Sequence, residues 1–179
     1  MTMWRALGDA VAGWVLILRG DAGWRERFRF SAPAVVNALV VVLFIAFLGV
    51  ALGSTSVGMP SVLEVVVTMA ALALPALALL VTLVLTRNML RSPVPLLPIM
   101  VPGLYLVAAF ILLEGALAMI AGPLALLSWL VLAWFVFRLA RVATDWNAGV
   151  VAAFAVLTVA MLVAMRLGLY MVNAAASAI

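Results

Sequence analysis

Long apolar runs separated by short polar connections are the main pattern along this chain. Five runs are long enough to cross a bilayer, which takes about 20 residues of α-helix. They cover about residues 34–52, 62–86, 96–120, 121–140 and 148–172. The third and fourth runs meet at Ala121, Gly122 and Pro123, so we expect a tight helical hairpin there. The pattern predicts an all-α fold, a polytopic membrane bundle of five transmembrane helices.

A shorter amphipathic pattern precedes the first of these runs. Apolar residues recur at helical spacing, with Arg5 and Asp9 on the opposite side. The apolar stripe consists of Trp4, Leu7, Val11, Trp14, Val15 and Leu18. We expect an N-terminal amphipathic helix that lies in the membrane interface or packs against the bundle. The apolar stretch is short and is followed by Arg19, so it is not a secretory signal. The chain thus divides into a cytoplasmic interfacial segment, 1–30, and a transmembrane domain, 31–179.

Basic and aromatic residues alternate between this helix and the first span. Because the segment runs directly into a membrane-spanning helix, we favour anchoring to anionic lipid head groups over nucleic-acid binding. A docking surface for a cytosolic partner is the alternative. The predicted surface anchors are Trp4, Trp14, Trp24, Arg25, Arg27, Phe28 and Arg29.

Composition excludes several classes of protein. The chain is 70% hydrophobic and 9% charged, whereas soluble domains carry about 25% charged residues. It contains no Cys and no His, which removes disulfides, thiolate nucleophiles and the usual metal ligands and general base. Asp9, Asp21 and Asp145 are isolated in sequence, so they form no aspartate cluster for Mg²⁺. We therefore predict no catalytic site, no metal and no cofactor.

The placement of the arginines predicts the orientation. With a cytoplasmic N-terminus, nine of the ten arginines are cytoplasmic, while the outer connection 53–61, the turn at Gly122 and the tail 173–179 carry no charge. Cytoplasmic flanks carry the excess of positive residues, so we predict a periplasmic C-terminus. All ten cationic side chains are arginine, which we interpret as the bias of a GC-rich bacterial genome. The predicted location is the bacterial inner membrane.

Three ionisable side chains fall inside the predicted spans, namely Glu64, Glu114 and Arg166. Such residues are costly in lipid and suggest a function or a partner. Glu114 and Arg166 each lie six residues from the outer end of a span, roughly 9 Å deep. We expect these two to form a structural ion pair, which Glu64 could join. In the alternative reading they form a periplasmic polar site, where Glu114 takes up a proton or cation and Arg166 an anionic head group.

The outline of an amphipathic N-terminal segment and five spans resembles the Yip1 family of small membrane proteins. The closest local likeness is the last hairpin: Trp129, then Arg138 and Arg141, the loop 144–147, and Ala148 with Gly149 opening the final span. The resemblance covers residues 14–172 and implies a multi-pass fold. Eukaryotic members are linked to membrane trafficking and bind small GTPases. The resemblance carries over no functional residue.

Two classes of function follow. We favour a non-catalytic scaffold or accessory subunit that associates with another membrane protein or with identical copies. Gly49 and Gly53, and Ala118 and Gly122, have the small-xxx-small spacing that permits close helix approach. The alternative is a small transporter or lipid-handling protein that uses Glu64, Glu114 and Arg166.

Overall fold

The computed structural model describes residues 3–57 and 61–176, and the regular elements in these ranges are all helices. They are α1 (Met3–Arg19), α2 (Trp24–Arg27), α3 (Ala32–Val57), α4 (Val62–Met89), α5 (Leu97–Ile120), a 3₁₀ turn (Gly122–Leu124), α6 (Ala125–Ala143) and α7 (Ala148–Ala176). The helices α3, α4, α5, α6 with its preceding turn, and α7 are long and apolar enough to cross a membrane. This confirms the predicted all-α, five-span fold.

Local sequence explains where several helices begin and end. Gly20 follows α1 with a φ of 76°, a left-handed conformation that glycine adopts at no steric cost. The N–H of Gly20 then donates to the Ile17 carbonyl and that of Asp21 to the Leu16 carbonyl, which satisfies the last turn of α1. Helix α4 begins after Ser61 and continues through Pro75 to Met89.

The five spanning helices pack as a ring. Around the ring the helices follow the order α3, α5, α6, α7 and α4, and α4 packs against α3 to close it. Helix α4 also contacts α5 across the ring. Gly103 allows this close contact, because a Cβ added there would lie 2.5 Å from Leu79 Cδ2. Helix α5 therefore contacts three of the other spanning helices, α3, α4 and α6.

Helix α1 packs on the bundle against α5 and α6, the second of the two positions expected for it. Its buried face consists of Ala10, Gly13 and Ile17. Small residues in this face let α1 approach closely. Val11 and Val15, on the predicted apolar stripe, are instead 67% and 42% exposed.

The structure corrects the predicted role of two aromatic anchors. Trp24 and Phe28 are only 1% and 6% exposed, so they lie inside the protein and not at the membrane surface. The Phe28 ring packs where Gly13 leaves room beside it. Arg25, Arg27 and Arg29 are exposed, and their role as lipid anchors stays a prediction. The side chain of Trp4 lies outside the described residues.

Candidate functional site

Glu114 of α5 and Arg166 of α7 form a two-pronged ion pair. Arg166 Nη1 lies 2.5 Å from Glu114 Oε1, and Nη2 lies 2.7 Å from Oε2. The side chains of Arg166 and Glu114 are 25% and 14% exposed. Charge-assisted pairs of this fork geometry are the strongest hydrogen bonds between side chains. The sequence anticipated this contact from the matching depths of the two residues.

Trp129 of α6 is the third member of this cluster. Its Nε1 donates to Glu114 Oε1 over 2.8 Å, and the Arg166 guanidinium lies 5.3 Å from the centre of the indole ring. Trp129 therefore contacts both charges and joins α5 to α7 through α6. The sequence did not single out Trp129 for this cluster, because nothing in a uniformly apolar span shows which way it faces.

Glu64 does not take part in this cluster. It is exposed, and its carboxylate accepts a hydrogen bond of 2.7 Å from the backbone N–H of Ser61. The Glu64 N–H donates to the Ser61 hydroxyl in return, which completes a capping box at the start of α4. The predicted three-residue cluster is thus corrected to Glu114, Arg166 and Trp129. The Ser-x-x-Glu spacing before an apolar run was the signal for this cap.

The carboxylate of the ion pair has donors at both oxygens, whereas Arg166 Nε is buried without a hydrogen-bond partner. Both Glu114 oxygens accept from Arg166, and one of them also accepts from Trp129. The buried polar side chains in the described ranges are Thr82, Ser128 and Thr158, and each donates to a carbonyl of its own helix. This arrangement favours a structural role for the polar groups of the bundle.

A larger feature is an apolar cavity between α1 and the bundle, which we name the α1 groove. It has a volume of about 540 Å³ and is lined by α1, α3, α5 and α6, with Val11, Phe44, Ala109, Leu112 and Phe135 among its residues. Small-ligand sites typically measure about 300–1,000 Å³ and are mostly apolar. The sequence predicted the apolar stripe of α1 but not the space beside it.

Three contacts hold α1 beside the groove. Trp14 Nε1 donates to the Pro102 carbonyl over 3.1 Å, and the Trp14 ring meets Phe135 edge-on at 5.4 Å. Arg138 Nη2 donates to the Leu18 carbonyl at the C-terminal end of α1. A cation at this end of a helix also interacts favourably with the helix dipole. Arg138, considered from sequence as a flanking charge, is thus a docking residue for α1.

Comparison with protein-family models, with curated proteins and with solved structures found no match to this chain. The resemblance to the Yip1 family therefore stays a prediction.

Proposed function

We propose that this integral membrane protein is a non-catalytic lipid-handling protein that holds a membrane lipid in the α1 groove. The observation that carries the proposal is the groove itself, an apolar space of about 540 Å³ beside a membrane-spanning bundle. This proposal keeps the lipid-handling alternative drawn from the sequence but moves its site from Glu114 and Arg166 to the groove.

The chemistry of the groove fits a hydrocarbon chain. Among the residues that line it, only Trp14 and Tyr105 carry polar side-chain atoms, and the Trp14 N–H already donates to Pro102. Val11 is 67% exposed and Leu112 53% exposed at the edge of the groove, so the space is open to the side. In a membrane, a laterally open apolar groove is reached by acyl chains and not by hydrated solutes.

The position of the groove fits the cytoplasmic leaflet of the predicted orientation. The residues of α3 that line the groove lie between Val41 and Leu48, and Val41 is nine residues after the start of the helix. The residues of α5 that line the groove lie between Tyr105 and Leu112, and Tyr105 is eight residues after the start of the helix. Both helices begin at the end where the predicted cytoplasmic arginines lie. A bound chain would thus run from the arginine-bearing surface toward the middle of the bilayer.

The proposal is tested by filling the groove with a side chain. Ala109 lines the groove and is exposed, so Ala109→Trp occupies the space without entering the packed core. Ala152 is an exposed alanine on α7, away from the groove, and Ala152→Trp is the matched control. We expect native mass spectrometry of the purified full chain to detect bound lipid in the parent protein and in Ala152→Trp. Ala109→Trp should retain at most about a tenth of it.

Equal lipid retention by the two tryptophan variants would refute the proposal. The same preparations also test the accessory-subunit role favoured by the sequence pattern. If a protein partner co-purifies at fixed stoichiometry and the bound lipid does not depend on the groove, the accessory-subunit role replaces lipid handling as the proposed function. The accessory role rests on the sequence pattern, and it remains a proposal.

A further inference from the structure

A second, polar pocket lies beside the α1 groove, and we name it the Arg27 pocket. It is lined by Asp9, Arg27, Arg29, Asn37 and Tyr105, together with apolar neighbours, and has a volume of about 50 Å³. One water needs about 10–15 Å³, so the pocket has room for roughly four water-sized groups. This space suits a group of the size of a phosphate.

The pocket and the groove adjoin each other at Tyr105, which lines both. On α3 the pocket contains Asn37, and the groove begins one helical turn later at Val41. On α5 the pocket contains Val101, and the groove extends from Tyr105 to Leu112. The polar pocket therefore lies at the arginine-bearing end, and the apolar groove continues from it toward the middle of the bundle. A phospholipid has the same order of parts, a phosphate followed by hydrocarbon chains.

The charges in the pocket suit a monoanion. Arg27 and Arg29 supply two positive charges, and Asp9 offsets one of them. Arginine is the side chain best shaped to donate two hydrogen bonds to a phosphate. A phosphodiester carries one negative charge, which matches the net charge of these three groups.

The backbone that carries the two arginines is positioned by the residue between them. Phe28 is 6% exposed, with its ring 6.2 Å from that of Tyr105 and packed beside Gly13. Because Phe28 is anchored in the interior, the arginines on either side of it are directed to the surface at a defined position. The backbone of the pocket is thus set before a ligand binds, and only the two arginine side chains have to be ordered.

We propose that the Arg27 pocket binds the phosphate of an anionic glycerophospholipid whose acyl chain lies in the α1 groove, an assignment that rests on the proposed function. The remainder of the head group stays outside the small pocket. A zwitterionic lipid carries the same phosphate but would place its own cationic group beside Arg27 and Arg29, so the site prefers a lipid with a net negative charge.

The test compares two lipids with identical acyl chains, one with a net negative charge and one with no net charge. The full-length protein is purified in detergent, stripped of lipid, and titrated with phosphatidylglycerol and with phosphatidylcholine of identical acyl chains. We expect phosphatidylglycerol to bind more tightly. Arg27→Gln with Arg29→Gln should weaken its binding about 25-fold, to the level of phosphatidylcholine, since each arginine near anionic head groups accounts for about fivefold.

The matched control removes the same charge elsewhere at this end of the bundle. Arg91 and Arg141 are exposed and line neither cavity, so Arg91→Gln with Arg141→Gln should keep the preference for phosphatidylglycerol. Equal losses in the two double variants would overturn the assignment, because general surface charge would then explain the preference. Glycerophosphoglycerol, which has the same head group without chains, should not displace the lipid at equal concentration. Equal binding of that compound would overturn the assignment to a lipid.

The failures of the two proposals are distinguishable. If Ala109→Trp leaves binding of both lipids unchanged, the proposed function fails, and this assignment fails with it. If Ala109→Trp excludes both lipids while Arg27→Gln with Arg29→Gln keeps the charge preference, only the assignment of the phosphate fails.

Discussion

Glu114 and Arg166 are charged residues in an apolar bundle, where either charge alone would be strongly destabilising. Removing one partner of a fully buried pair costs about 3–5 kcal/mol, because the other charge is left unpaired. Arg166 is 25% exposed, so the pair is not fully buried and this range is an upper bound. The contact of both residues with Trp129 adds a hydrogen bond and a cation–π interaction to the pair. These contacts favour a role in fixing the rotation of α5 and α7 about their axes.

This role predicts the outcome of a double-mutant cycle. Glu114→Gln should lower the free energy of unfolding by about 2 kcal/mol, because it leaves the guanidinium without a counter-charge. Glu114→Gln combined with Arg166→Gln should recover part of that loss, since no unpaired charge remains. The measurement is reversible unfolding of the purified protein in mixed micelles. Additive effects of the two single changes would show that the residues are not coupled.

Glu64 supplies the control for this cycle. Glutamine at the third position of a helix can also complete a capping box, so Glu64→Gln should change the free energy of unfolding by less than about 0.5 kcal/mol. A loss as large as that of Glu114→Gln would place Glu64 in the same electrostatic cluster after all.

At the scale of elements, the docking of α1 depends on a glycine that faces an aromatic ring. A Cβ at Gly13 would overlap the Phe28 ring, whereas a Cβ at Gly8 would meet nothing within 4 Å. Because Phe28 is itself buried, its ring has little room to move away. The contact between α1 and the segment 24–30 thus requires a residue without a side chain at position 13.

Two substitutions in the same helix test this contact. Gly13→Ala should release α1, and hydrogen exchange in residues 5–19 should become at least about tenfold faster, a loss of about 1.4 kcal/mol in local stability. Gly8→Ala should slow exchange in α1 or leave it unchanged, since alanine is favoured over glycine in a helix by about 1 kcal/mol. If both variants exchange alike, the contact with Phe28 does not hold α1 in place.

At the scale of the whole molecule, the arginine-bearing connections meet at one end of the bundle. Trp146, in the loop after α6, donates from Nε1 to the hydroxyl of Ser92, in the loop after α4, over 3.1 Å. Arg25 lines a cleft together with Pro93 and Asp145. Two interhelical loops and the N-terminal segment therefore lie together, as the predicted topology requires. The side of the membrane that this end faces stays a prediction.

The absence of native cysteine makes that orientation directly measurable. Asp145 is exposed at the arginine-bearing end and Ala121 is exposed at the other. A membrane-impermeant maleimide added to intact cells should label Ala121→Cys and not Asp145→Cys. Both variants should react once the membrane is permeabilised. Labelling of Asp145→Cys alone in intact cells would reverse the predicted orientation.

The sequence by itself determined the number and approximate bounds of the spans. A helix that crosses a bilayer needs a run of apolar residues of a known length, and that requirement is local. It also anticipated the pairing of Glu114 with Arg166, because unpaired charges inside a membrane are costly and these two lie at equal depth in different helices. The cap formed by Ser61 and Glu64 was equally local, so it could have been predicted, although the carboxylate was interpreted as part of a deeper cluster.

Only the tertiary structure decided which faces of these helices meet. Lipid and protein interior are almost equally apolar, so hydrophobicity along a span does not distinguish the face toward lipid from the face toward a neighbour. The burial of Trp24 and Phe28, the position of Trp129 between two charges, and the space beside α1 all depend on that choice. The α1 groove and the Arg27 pocket arise between elements distant in the chain, which is why the sequence pattern did not reveal them.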